Sequence, residues 1–247
     1  MSNFKPKGDL VSGPPALQPD PTRILVGQHS VSLIPLTEYH IPCLYESLCG
    51  LGNDQLYTYL PAGPFHTLDA FSAHVESLLT SPIFFPYTIM STSRSTSPEP
   101  QPTETPVGII TFMNIVPLHR TIEIGHVLYG TMLQRTPAAT EANYLLMKYA
   151  FEELGYLRVE WKCNDWNEPS KRAATRLGFV FEGVFRKHLV VKGRRRDTAW
   201  YSCLDDEWFL EGKGSIKKGL EGWLEKSNFD ENGKQIKKLE EVREGLV

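Results

Sequence analysis

The hydrophobic period of this chain changes inside one short stretch, residues 122–154, and that change restricts what it can fold into. Ile122, Ile124 and Val127 lie in a β-rich run that ends at Tyr129. Residues 130–137 are polar and include a proline. From Thr140 the apolar residues Ala142, Leu145, Leu146, Tyr149, Ala150 and Leu154 share one helical stripe, and Gly155 is a fitting stop. The reading is strand, loop, helix. The first amides of such a helix lack intrahelical partners, and the helix dipole adds partial positive charge there. A phosphate-bearing cofactor is therefore expected at residues 134–140.

The flanking chain reads as alternating strands and helices. Residues 1–22, rich in proline and glycine, read as an irregular leader. A hairpin follows over 24–36, then helices over 37–48 (Thr37 as cap) and 67–79. A strand is expected over 84–90. Residues 91–105 are nearly all Ser, Thr and Pro and read as a flexible loop joining two antiparallel strands. Residues 107–116 and 121–129 form a second hairpin. In residues 157–163, Leu157, Val159, Trp161 and Cys163 alternate with Arg158, Glu160 and Lys162, as in a half-buried strand. A short helix over 167–177 ends at Gly178, and two strands close the domain around Lys192-Gly193-Arg194. The tail, 209–247, is helical in pattern but hydrophilic, and is expected to pack as a peripheral appendage. The fold class is α+β: a mixed, mostly antiparallel central sheet with helices on both faces.

A formal net charge of −3 gives no global reason to expect nucleic acid. The four cysteines show no metal-ligand spacing, and no metal is expected. They read as reduced, mostly buried thiols. No apolar run approaches membrane-spanning length, and the N-terminus lacks a signal-peptide core. The expected location is cytoplasmic.

Three motifs and the order of elements resemble the GNAT acyl-CoA-dependent N-acetyltransferases, in the RimJ/RimL ribosomal-protein-alanine acetyltransferase subgroup. The resemblance covers residues 23–208. The first motif is Gln134-Arg135-Thr136-Pro137-Ala138-Ala139, then Thr140. Gln134 and Ala139 match the family pattern; Pro137 stands where the family usually has glycine, and proline has no amide to donate. The second is Asn167-Glu168-Pro169-Ser170, running to Leu177-Gly178-Phe179. The third is Glu182-Gly183 with Arg186, His188 and the stretch Arg196 to Trp200.

The resemblance implies the GNAT fold, acetyl-CoA as cosubstrate and an amine-bearing acceptor, either a small molecule or a protein N-terminus. It implies that Val127, Leu128 and Tyr129 hold the pantetheine arm with their exposed amides. The diphosphate would rest on Gln134, Thr136, Ala138, Ala139 and Thr140. Asn167 would contact pantetheine, or simply cap its helix. Ser170 would protonate the leaving sulfur, or bond the local backbone. Glu123 stands where some members keep a general base; alternatively it pairs with Arg120 or another cation at a strand end. His188 could face the acceptor cleft, or be structural. Lys192, Arg194, Arg195 and Arg196 read as a solvated turn, or as a contact for an anionic acceptor or the adenosine 3′-phosphate. Trp166 could stack on an acceptor.

The function expected is transfer of an acetyl group from acetyl-CoA to a primary amine by direct attack. The alternatives are a non-catalytic acyl-CoA-binding module on the same fold and a ribosome- or RNA-associated binding protein. The acceptor, the oligomeric state and the role of the tail are not readable.

Overall fold

The computed structural model describes residues 8–50, 52–93 and 103–246. Strands β1 (Leu25–Val26) and β2 (Val31–Pro35) form the first hairpin. A 3-10 turn, Glu38–His40, leads into α1 (Ile41–Leu48), and α2 (Leu68–Leu79) follows, capped by the Thr67 hydroxyl on the Ala70 amide. Then come β3 (Phe84–Ser93), β4 (Thr103–Val116), β5 (Thr121–Tyr129) and α3 (Pro137–Lys148). The chain continues through β6 (Arg158–Asn164), α4 (Glu168–Leu177), β7 (Val180–Val191) and β8 (Arg194–Leu204). It ends in α5 (Asp205–Trp208), α6 (Ile216–Leu224) and α7 (Leu239–Glu244).

All eight strands form one sheet in the order β1-β2-β3-β4-β5-β6-β8-β7. Every neighbouring pair is antiparallel except β5 and β6. Successive strand side chains point to opposite faces, so neighbours on one strand enter different cores. Ile109 joins α1 and α2 in one cluster, with Leu44, Phe71 and Val75. Ile110 and Phe112 join the other, which holds α3, α4 and the C-terminal helices. The expected arrangement of a mixed sheet with helices on both faces is what the chain adopts.

The helix expected from Thr140 begins three residues earlier, at Pro137. Thr136 is its cap, its hydroxyl accepting from the Ala139 amide at 3.3 Å. Proline suits the first helical position, because its fixed φ is helical and an amide there would have no partner within the helix. The Ser/Thr/Pro loop is shorter than its composition suggests: Ser91 pairs with Thr105, Thr92 with Glu104 and Ser93 with Thr103. Its remainder, 94–102, lies outside the described residues, as do the first seven residues of the leader.

Residues 8–22 run without helix or strand, yet they are tied down. The Ala16 amide bonds to Pro117 O, the Leu17 amide to Leu154 O, and Tyr156 donates its hydroxyl to Leu17 O. The tail is not peripheral. Ile216, Leu220, Trp223, Leu224 and Leu239 belong to the main core. Their polar intervals made the tail look hydrophilic on average, whereas burial follows the stripe.

Candidate active site

The parallel pair β5–β6 holds for three residues only: Thr121 with Arg158, Ile122 with Val159, and Glu123 with Glu160. Both strands continue beyond that point without pairing. A bulge helps to part them. Between Gly125 and Leu128, β5 advances three residues while β4 advances two, and His126 sits there with φ +48°. The result is a cleft of about 160 Å³ between the diverging strands, lined by residues of β5, β6, α4 and the loop Tyr59-Leu60-Pro61. Lys192 donates to Tyr57 O at 2.8 Å, fastening the β7–β8 hairpin tip to the segment that leads into that loop.

Glu123 lines this cleft, and it is buried. Its Oε2 accepts from Lys162 Nζ at 2.7 Å and from Asn114 Nδ2 at 2.7 Å. Oε1 lies beside Gly125, 3.2 Å from where a β-carbon on that glycine would sit. Burial pushes the Glu123 carboxyl above the usual range, and Lys162 and Asn114 pull back only in part. Glu123 thus has the cation partner that the strand-end alternative foresaw, but the partner is Lys162 and not Arg120. Lys162 also meets Glu160 at 2.7 Å and lies 4.0 Å from the centre of the Trp200 ring.

Ser170 and Asn167 line the opposite wall. Asn167 caps α4, its Oδ1 accepting from the Ser170 amide at 3.2 Å. Trp161 donates its indole N–H to Ser170 Oγ at 3.0 Å. An oxygen already accepting there keeps its own hydrogen free to donate elsewhere.

Of the three residues expected to hold pantetheine, Val127 lines the cleft. Leu128 packs its side chain against the α1–α2 cluster. Tyr129 turns its hydroxyl toward α3, where Asn143 donates to it at 2.7 Å. The expected diphosphate cradle is largely self-satisfied. Gln134 donates its side-chain Nε2 to Tyr129 O and its main-chain amide to Gly130 O, the Thr136 amide bonds to Leu133 O, and the Ala139 amide is taken by the cap. The Thr140 amide makes the first intrahelical bond, and its hydroxyl accepts from Arg176 Nη1 at 2.9 Å. Among the described residues, the Arg135 and Ala138 amides of this segment have no protein partner. The cradle therefore fits a phosphate through two open amides, a third that the Thr136 hydroxyl could yield, and the helix dipole.

His188 is a correction. It lies exposed on β7, outside the cleft, with Nδ1 3.1 Å from Thr198 Oγ1. It sits in the bulge between Phe185 and Leu189 on the edge strand, with β8 between it and β6. Trp166 is also outside, 75% exposed. Arg196, expected with its neighbours at a solvated turn, instead lines the cleft.

Sequence reasoning missed a histidine pair. His126, on the bulge, lines the cleft, and its Nε2 lies 3.3 Å from Nε2 of His74 on α2. One ring must donate to the other, so those two nitrogens are not both protonated. Burial, with His74 adding to it, pulls His126 down to about 4 from an unfolded value near 6.5. The unfolded chain therefore takes up this proton first as pH falls. Stability is intact above about pH 6.5 and declines toward pH 4, by roughly 3 kcal/mol at most. Urea unfolding at pH 7 and at pH 4.5 checks the decline, and His126→Gln should flatten it.

The acetyltransferase (GNAT) domain family matches residues 31–180 of this chain. The chain belongs to the GNAT acetyltransferase family. Among solved structures, a GCN5-related N-acetyltransferase from Brucella melitensis is 37% identical. That likeness covers 94% of this chain and 98% of the other, with a TM-score of 0.84. Among curated proteins of Bacillus subtilis, "Putative ribosomal N-acetyltransferase YdaF" is 36% identical over 101 residues, 41% of this chain and 55% of that protein. The N-acetyltransferase YnaD is 31% identical over 102 residues, 41% of this chain and 59% of that protein. The match thus spans little more than half the length of these curated relatives. In this GNAT chain the leader and the C-terminal helices fall outside the family's matched span. No helix among the described residues is long and apolar enough to cross a membrane. All four cysteines are free thiols, and only Cys43 is exposed.

Proposed function

We propose that this protein is a cytoplasmic N-acetyltransferase that moves the acetyl group of acetyl-CoA onto a primary amine by direct attack. The observation that carries the reading is the parting of β5 and β6 after Glu123 and Glu160, with a buried carboxylate on one wall and a serine hydroxyl on the other. Acetyl-CoA supplies a thioester, a carbonyl already activated toward an amine. The chain's own residues handle protons and position. Glu123, through Oε1, accepts the proton that the amine must lose, directly or through water. Its pKa, raised by burial, makes it a stronger base than an exposed carboxylate. The amine nitrogen bonds to the carbonyl carbon, the carbon–sulfur bond breaks, and the sulfur leaves with the electron pair. Ser170 donates its hydrogen toward that sulfur while Trp161 holds its oxygen. Val127 and Asn167 would hold the arm that carries the thioester, and Ala138 its diphosphate.

Free thiols and the lack of a membrane-crossing helix among the described residues support the cytoplasmic assignment. Turnover of acetyl-CoA with a panel of amines is the direct test. Ser170→Ala should lower kcat by roughly 100-fold and leave the KM for acetyl-CoA within a few fold. A protein that binds coenzyme A but turns over with no amine would be the non-catalytic acyl-CoA module instead.

A further inference from the structure

Arg196 is out of place for a soluble protein's arginine. It lines the cleft, and its Nε is buried without a hydrogen-bond partner among the described residues. It takes part in none of the ion pairs found among those residues. The nearest carboxylate in sequence is occupied: Asp197 accepts from the Lys187 amide at 2.7 Å and faces Arg195 at 3.4 Å. The carboxylate inside the cleft is occupied too, since Glu123 holds Lys162 and Asn114. Burial depresses the Arg196 guanidinium, and the groups that partly offset this are Cys163 and Glu123. Arg196 is half-buried, and a guanidinium whose Nε is shut off from water without an acceptor is unfavourable, nor does an arginine escape by losing its proton.

We propose that Arg196 recognises an anion on the acceptor, so that the acceptor is an amine carrying a carboxylate a few bonds from its nitrogen. This rests on the acetyl-transfer reading of the same cleft. The thioester and pantetheine portions of acetyl-CoA carry no charge, so they do not complete Arg196. A carboxylate matches the planar fork of a guanidinium with two parallel hydrogen bonds. Lys162 also lines the cleft, but Glu123 and Glu160 already hold it at 2.7 Å each, which leaves Arg196 as the lining cation without a carboxylate partner among the described residues. Outside the cleft, the bulge on β7 opens a concavity lined by Arg186, Lys187 and Arg195, beside His188. Trp200 lies between, 6.0 Å from the His188 ring and 4.0 Å from Lys162 Nζ. Asp197 also lines this concavity and faces Arg195, so three cations against one carboxylate leave it net positive, and such a surface attracts anions. The carboxylate could belong to a free α-amino acid or to the acidic first residue of a peptide.

The test compares wild type with Arg196→Met and Arg196→Lys on matched acceptors. These are free amino acids and their carboxamides, and short peptides beginning with Asp or with Asn. Wild type should prefer the carboxylate member by about 100-fold or more in kcat/KM, since a site built to bond a polar group rejects the analogue lacking it. The free acid and the acidic peptide tell the two sources apart. Arg196→Met should reduce the preference to within about threefold, mainly through KM, with the affinity for coenzyme A unchanged. Arg196→Lys should restore part of it. The Tm of Arg196→Met should equal or exceed that of wild type, because a buried donor without a partner has been removed.

Equal use of acids and amides by wild type would overturn the proposal. So would a kcat loss in Arg196→Met shared by all acceptors, which would put the guanidinium on the leaving sulfur. A clear drop in Tm would also overturn it, by pointing to a structural partner. Should no amine be acetylated, the transfer reading fails by itself, and calorimetry on the protein saturated with coenzyme A still decides the anion. Binding of amino acids but not of their amides, lost in Arg196→Met, supports the proposal; equal binding or none rejects it.

Discussion

Glu123→Gln is expected to lower kcat/KM for acetyl transfer by roughly 100- to 10,000-fold, the range removed with a general base. Glutamine has nearly the same shape and can still accept from Asn114, and Lys162 keeps its 2.7 Å contact to Glu160. The change therefore removes the base while leaving the cleft standing, and stability at neutral pH is expected to hold or rise, because the neutral side chain escapes the burial penalty that raises the Glu123 pKa. In wild type the acid limb of the pH–rate profile should lie above the ordinary carboxylate range, because burial raises the Glu123 pKa. In the variant that limb should vanish. The stability linkage has the matching sign. A carboxyl whose folded pKa is raised favours folding while it is protonated, and that contribution is lost as pH rises from its unfolded value through its folded one. Steady-state rates from pH 5 to 9, with thermal unfolding of both proteins, check all of this. An unaltered profile in Glu123→Gln would move the base to another group, and His126, which also lines the cleft, is the imidazole candidate there.

Deleting residues 209–247 is expected to abolish cooperative unfolding altogether. Ile216, Leu220, Trp223, Leu224 and Leu239 are each no more than 4% exposed. Burying one such side chain contributes about 1.5–3 kcal/mol. Together they reach roughly 10 kcal/mol, as large as the whole stability of an ordinary domain. The segment also carries specific partners. Glu221 accepts from the Tyr144 hydroxyl at 2.8 Å, Leu224 O lies 2.6 Å from His29 Nε2, and Trp223 lies under Arg176 at 4.5 Å. Arg176 in turn holds the Thr140 hydroxyl at the start of α3. Removal of the tail therefore loosens the helix start assigned to the diphosphate. The single change Trp223→Ala should cost about 3–5 kcal/mol, read as a lowered urea midpoint. A truncated chain that unfolded at the wild-type temperature would make the tail an appendage after all.

The elements were legible because their signals are local. Residues 158–163 alternate buried and half-buried along β6 as their composition foretells. Gly178 ends α4 in the left-handed region with φ +107°, a conformation that glycine adopts without strain. The boundaries were less legible where a cap or a proline moved them, as at Thr136 and Pro137. The site was legible in part. Glu123, Ser170, Asn167 and Val127 do meet across one cleft. Lys162 was visible as a polar position on β6, but nothing local says that it reaches a carboxylate 39 residues away. His74 and His126 are 52 residues apart, on a helix and on a bulge. Three adjacent arginines at a hairpin look alike in sequence, and only strand direction separates exposed Arg194 and Arg195 from Arg196 in the cleft.

By itself the sequence determined the strands, the helices, their order and the strand–loop–helix unit at the centre, because hydrophobic period and end caps act over a few residues. Tertiary structure alone decided where β5 and β6 part, that Lys162 is paired while Arg196 has no ion-pair partner among the described residues, and that the tail belongs to the core. Those outcomes depend on register, bulges and burial, which are set by contacts between residues far apart in the chain.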